Sequence, residues 1–95
     1  MVVGTLKIEL FLHGVDSLKE KRSIVKRTLS RVRDKFEVSA AEVENMDFHR
    51  SAVIGVALVT NDRRFANSML DKIIEYVIEL GLAEVGQTKI EIINL

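Results

Sequence analysis

Ser17 to Phe36, SLKEKRSIVKRTLSRVRDKF, is the stretch whose reading decides the fold. Ser17 is placed to accept a hydrogen bond from the amide of Glu20 while the Glu20 carboxylate reaches back to the amide of Ser17, a capping box that starts a helix. At 100° per residue Leu18, Val25, Leu29, Val32 and Phe36 share one narrow face with Ile24 on its flank, and that face must be buried. The rest of the surface carries eight of the chain's fourteen Lys and Arg residues. Lys19, Lys26, Arg27, Arg31 and Arg33 lie on the open arc, and Lys21, Arg22 and Lys35 sit nearer the apolar border. Only Glu20 and Asp34 oppose them. Because the 95 residues sum to zero charge, this +6 helix is balanced by −6 spread over the remainder.

Outward from this helix the chain changes period. Upstream, Val2 to His13 alternates: Val2, Leu6, Ile8, Leu10 and Leu12 against Lys7, Glu9 and His13, the pattern of a half-buried strand. Gly14, Val15 and Asp16 form a short link to the cap. Downstream, Glu37 to Glu44 carries Val38 and Val43 on opposite parities, which predicts a bulge near Ala40 and Ala41 or an edge strand. After a turn at Asn45, Met46 and Asp47, the run from Ala52 to Thr60 is apolar on both parities, as in a central strand covered on both faces. Thr60, Asn61 and Asp62 offer successive caps for a second helix that ends near Leu80 before Gly81. Its apolar face comprises Phe65, Met69, Leu70, Ile73, Tyr76, Val77 and Leu80, opposite Asn67, Asp71, Glu75 and Glu79. A loop around Gly86 leads to a last strand, Lys89 to Leu95.

The order β-α-β-β-α-β, with two right-handed crossovers, predicts an α+β, ferredoxin-like domain spanning residues 1–95: a four-stranded antiparallel sheet with strands one and three central and both helices on one face. The opposite sheet face would carry Val3, Thr5 and Phe11 beside Val53, Gly55, Ala57 and Val59, with no third helix to cover it. A homo-oligomer, most simply a dimer joined through Val3, Phe11, Val53, Ala57 and Val59, is the expectation.

Ninety-five residues suffice for one core, and 47% hydrophobic with 29% charged residues is ordinary globular composition. Without cysteine there are no disulfides and no thiolate chemistry, which fits a cytoplasmic protein. No cationic, apolar leader is present and no apolar run approaches a membrane span, so neither targeting nor membrane insertion is expected. Neutral net charge argues against indiscriminate nucleic-acid binding.

The stretches GTLKIELFLHGVDSLKEKRSIVKRTLSRVRDKF (4–36), VSAAEVENMD (38–47) and RSAVIGVALVTND (50–62) resemble the YlxP-like family, also catalogued as a domain of unknown function. SLKEKR and the VTND exit are the most specific pieces. The resemblance implies a ferredoxin-like fold in a bacterial cytosolic protein, often encoded near translation-initiation and ribosome-maturation factors. It implies no established activity, so it transfers no catalytic residue.

Lys19, Arg22, Lys26, Arg27, Arg31 and Arg33 are the candidate contacts to RNA, a ribosomal assembly or another acidic partner, since exposed cations neutralise phosphates and release counterions. The bland alternative is a solvated face whose charge is met by the acidic second helix or by acidic strand ends. Base reading on the open sheet face is not expected, because only Phe11 is aromatic there. His49, near Asp47, Glu42 and Glu44, has a pKa suited to general-base or metal chemistry, but no histidine or cysteine spacing matches a metal site. Asp47 is expected to cap its turn and Arg50 to pair with a carboxylate. Asn61 and Asp62 read as caps rather than an anion site, and neither catalytic residue, metal nor cofactor is assigned. The sequence therefore predicts a non-enzymatic interaction module working through its basic helix. The alternative is a dimeric regulatory domain that binds a small ligand between paired sheets or helices.

Overall fold

Six elements follow in the expected order in the computed structural model, which describes residues 1–95: β1 (Val2–Phe11), α1 (Leu18–Lys35), β2 (Ser39–Glu44), β3 (Ser51–Thr60), α2 (Arg63–Leu80) and β4 (Glu84–Asn94). The four strands form one antiparallel sheet in the order β2-β3-β1-β4. β1 and β3 hold the centre through an unbroken ladder from Val2 opposite Thr60 to Phe11 opposite Ser51. Strand parity then decides the layers. Leu6, Ile8 and Leu10 of β1 and Ala52, Ile54 and Val56 of β3 face the helices, against Val25, Leu29 and Val32 of α1 and Ala66, Leu70, Ile73 and Val77 of α2, and all are buried in one core. No helix is long and apolar enough to cross a membrane.

The caps act largely as their residue types require. Ser17 Oγ accepts from the Glu20 amide at 3.1 Å, but the Glu20 side chain makes no return bond, so only half of the expected box forms. Asp62 closes the start of α2 by accepting from the amides of Arg64 (2.9 Å) and Phe65 (3.3 Å). Gly81 ends α2 in the left-handed region at φ 63°.

The structure adjusts the local expectations at several places. β1 ends at Phe11 rather than His13, although the Leu12 amide still donates to the Arg50 carbonyl at 3.0 Å. For β2 the edge-strand alternative holds, and the one irregularity in its pairing falls between Glu42 and Glu44 instead of near Ala40 and Ala41. β4 begins at Glu84, five residues before the predicted start, because Gly86 serves packing and not a turn. A Cβ there would sit 2.6 Å from both Glu9 Oε1 and Phe11 Cε2, and the neighbouring Gln87 amide donates to Glu9 Oε1 at 3.2 Å. Finally, the buried face of α1 is turned from the predicted stripe. Lys21 and Thr28 lie fully inside with Val25, Leu29 and Val32, whereas Leu18 and Phe36 are half-buried. On α2, Phe65 is similarly left exposed and Ala66 takes its place in the core.

Candidate functional site

α1 packs its buried face over the sheet, which leaves its cations on two outward rows. At 100° per residue Lys19, Arg22 and Lys26 share a flank with Arg33, whose guanidinium donates to the Ala40 carbonyl of β2. Arg27 and Arg31 share the other flank with Lys35, whose ammonium lies 4.5 Å from the centroid of the Tyr76 ring on α2. Phe36 meets the same ring edge-on, with centroids 5.6 Å apart. Of the six residues singled out from sequence, Arg33 is thus partly committed to the fold. Lys19, Arg22, Lys26, Arg27 and Arg31 are exposed, and none has a carboxylate within 4.0 Å. Direct pairing with the acidic side of α2 or with acidic strand ends does not neutralise them.

Lys21, in the middle of SLKEKR, belongs at the apolar border by its helical angle but lies at the centre of an anchor. It is wholly buried. Its ammonium stands 3.0 Å from Glu42 Oε2 on β2 and donates to the Asn45 carbonyl at 2.5 Å. Glu42 Oε2 accepts no aligned hydrogen bond, so its link to Lys21 is a contact of charges. The one usable signal was a cation only about 60° from the centre of the apolar stripe, followed by a carboxylate on the next strand.

The anchor shapes the β2–β3 turn. Asn45 adopts φ 62°, its carbonyl accepts from the Phe48 amide at 3.1 Å and its side chain donates to Ser51 Oγ at 3.0 Å. Asn45, not Asp47, therefore closes the turn, since asparagine tolerates the left-handed region and can bond its own surroundings. Arg50 pairs with a carboxylate as expected: it reaches the Val15 carbonyl and Asp16 Oδ1, both at 3.2 Å, and ties the turn to the start of α1. Met46, Phe48 and His49 remain exposed at the tip. His13 instead contacts Glu84 across the entrance to β4. No three His, Asp or Glu residues converge into a metal-binding group.

On the open sheet face, Val3, Phe11, Val53, Ala57 and Val59 all appear as strand parity requires: Val53, Ala57 and Val59 run along β3, while Val3 and Phe11 of β1 stand at opposite ends of the sheet. Val3 lies between Val59 and Ile93 at one end, and Phe11 lies at the other. Between them run Lys7, Glu9, Lys89 and Glu91, with Lys7 bonded to Glu44 at 2.7 Å and Lys89 to Glu91 at 3.1 Å. The Glu44 carboxylate, by its hydrogen bond and charge, holds the Lys7 ammonium above its ordinary 10.5, with Glu91 adding to the effect. A groove of about 400 Å³ crosses this belt, floored by Thr5, Gly55 and Ala57 and walled by Val43 and Ile93.

Comparison with known proteins places this geometry. Residues 3–90 match a family model described as a protein of unknown function (DUF503). An uncharacterized protein of Bacillus subtilis (strain 168), YlxP, is 32% identical over 76 residues, covering 80% of this chain and 83% of that protein. Among solved structures, a de novo designed protein with a ferredoxin fold superposes with a TM-score of 0.64 at 13% identity, over 96% of this chain and 86% of the other. SnoaB, a cofactor-independent oxygenase from Streptomyces nogalater, superposes with a TM-score of 0.52 at 13% identity, over 100% and 94%. At such identities these two likenesses speak for the ferredoxin-like fold alone.

Proposed function

The chain belongs to the DUF503 family of proteins of unknown function, and from its surface we propose that it is a non-enzymatic interaction module that binds RNA, alone or within a ribosomal assembly, along α1. The observation that carries this reading is the set of five exposed cations, Lys19, Arg22, Lys26, Arg27 and Arg31, without a carboxylate partner. Ordinary surface cations gain little from pairing, but five of them on one helix concentrate positive potential in a chain that is otherwise acidic. Such a surface is suited to phosphates, and it contacts the backbone rather than bases, because the open sheet face offers Phe11 as its one aromatic.

Sedimentation of the protein in a gentle bacterial lysate tests the proposal, together with direct binding to ribosomal RNA across a salt series. Wild type should co-sediment with ribosomal fractions at low salt. If all five cations meet phosphates of a single strand, log K should fall against log salt with a slope near −3.5, from roughly −0.7 per contact. Lys26→Glu/Arg27→Glu/Arg31→Glu should abolish co-sedimentation with an unchanged far-ultraviolet spectrum, since all three side chains are solvent-exposed. Binding that survives this substitution overturns the proposal.

The groove on the open face favours a second reading, a regulatory domain for a small ligand, since its volume lies within the roughly 300–1,000 Å³ of small-molecule sites. Its measurement is a thermal-shift screen of metabolites. Stabilisation that Ala57→Phe removes supports it, and a screen without shifts counts against it.

A further inference from the structure

The two edges of the sheet are unequal. β2 has six residues, is interrupted after Glu42, and has its Ala40 carbonyl occupied by Arg33. These are features that keep an edge from pairing. β4 has eleven residues and runs without interruption from Thr88 to Asn94 along β1, while its other side faces no strand. Ile90 and Ile92 point to the helix side, yet each remains half exposed at this margin, and Lys89 and Glu91 stand on the open side. A long edge with β-branched residues and no proline is a template for another strand.

We infer that β4 is the interface with a second copy of this chain, paired antiparallel to its counterpart about a two-fold axis at Ile90, so that two sheets join into one of eight strands. The register follows from symmetry and charge. Antiparallel partners related by an axis through the sheet place side chains of one face opposite side chains of the same face, so a residue must stand opposite its own copy at the axis. An axis at Lys89 sets two ammonium groups against each other, and an axis at Glu91 sets two carboxylates. An axis at Ile90 puts Lys89 opposite Glu91 of the partner subunit, and Glu91 opposite Lys89 of the partner subunit, while the two Ile90 side chains cover each other on the helix side. The Lys89 and Glu91 contact within each chain, at 3.1 Å, then becomes a four-charge cluster across the axis. The interface is independent of the cations on α1.

The chain has no cysteine, so a single introduced thiol reports the register. Residues directly opposite in an antiparallel pair have Cα atoms about 4.5–5.5 Å apart, within the span of a disulfide. Under mild oxidation Ile90→Cys should therefore give a covalent dimer on a non-reducing gel, while Lys89→Cys alone should give little. In sedimentation equilibrium Lys89→Glu, an exposed substitution that leaves the fold intact, should weaken dimerisation by about tenfold or more. Lys89→Glu/Glu91→Lys should restore it. A wild-type protein that stays monomeric at several hundred micromolar overturns the inference. So does a dimer that Val59→Cys cross-links and Ile90→Cys does not, which would place the second copy on the open sheet face instead.

Discussion

Lys21→Met tests how much of the turn geometry rests on one buried charge. Methionine keeps most of the side chain's volume and removes the ammonium, leaving Glu42 without its cation and the Asn45 carbonyl without its donor. At 3.0 Å the pair's attraction is about 5.5 kcal/mol at an effective dielectric of 20, before the desolvation of both groups is subtracted. Removing one partner of a buried pair costs about 3–5 kcal/mol, mainly because the other charge is stranded. The Glu42 side chain is 18% exposed and can recover some hydration, so the lower end, about 3 kcal/mol, is expected. For a domain of this size that is a fall in Tm of roughly 12–24 °C. Urea unfolding at pH 7 followed by far-ultraviolet circular dichroism measures it, with an unchanged m-value as the check that both states keep their extent. Lys21→Met/Glu42→Leu should recover about half of the loss, since no stranded carboxylate then remains. A single-variant cost under about 1 kcal/mol, the level of a surface substitution, would show that Lys21 is hydrated and not an anchor.

Gly86→Val should cost about 1–3 kcal/mol in the same assay, because its Cβ collides with the Phe11 ring and with Glu9, and the bond from the Gln87 amide to Glu9 is disturbed. The pH dependence of Lys7 has a fixed sign. Its folded pKa lies above the unfolded value of 10.5, so its contribution is fully present below 10.5 and is lost as pH rises through the higher folded value. The stability difference between wild type and Lys7→Met should therefore stay constant from pH 7 to about 10 and shrink above 10.5. A difference that grows with alkaline pH contradicts the assignment.

Element order, central strands and helix ends were legible because each follows from local chemistry. Alternation marks a strand covered on one face, apolar residues on both parities mark the central β3, Ser17 and Asp62 have the side chains that helix starts demand, and Gly81 lacks the Cβ that would oppose a left-handed helix end. Legibility stops where a residue's role depends on something distant in sequence. Gly86 looks like a turn glycine until β1 places Phe11 and Glu9 over it. Lys21 looks like one more member of a cationic helix until β2 brings Glu42 and Asn45 within reach of its ammonium. The same limit applies to the candidate site. The sequence identifies the cations of α1, but which of them the fold occupies depends on what packs beside each: Lys21 meets Glu42, Arg33 the Ala40 carbonyl and Lys35 the Tyr76 ring, while the other five stay free.

The edge proposed for pairing and the face proposed for binding have a defined relation. An axis through the joined sheet keeps all four helices on one side. The strand order then puts each β4 at the centre and each β2 at a margin, so α2, which packs on β1 and β4, is inner and α1, which contacts β2, is outer. With strands about 4.8 Å apart, the two α1 helices stand roughly 25–35 Å from each other. Neither is covered by the pairing, and both show their free cations in the direction away from the sheet. One phosphate cannot be shared across such a gap, whereas two segments of one RNA can be held at once, with the second contact made at the high effective concentration that a rigid link provides. If α1 binds RNA as proposed, a protein joined through β4 acquires a geometric preference, for anionic surfaces that present phosphates at two places about three nanometres apart.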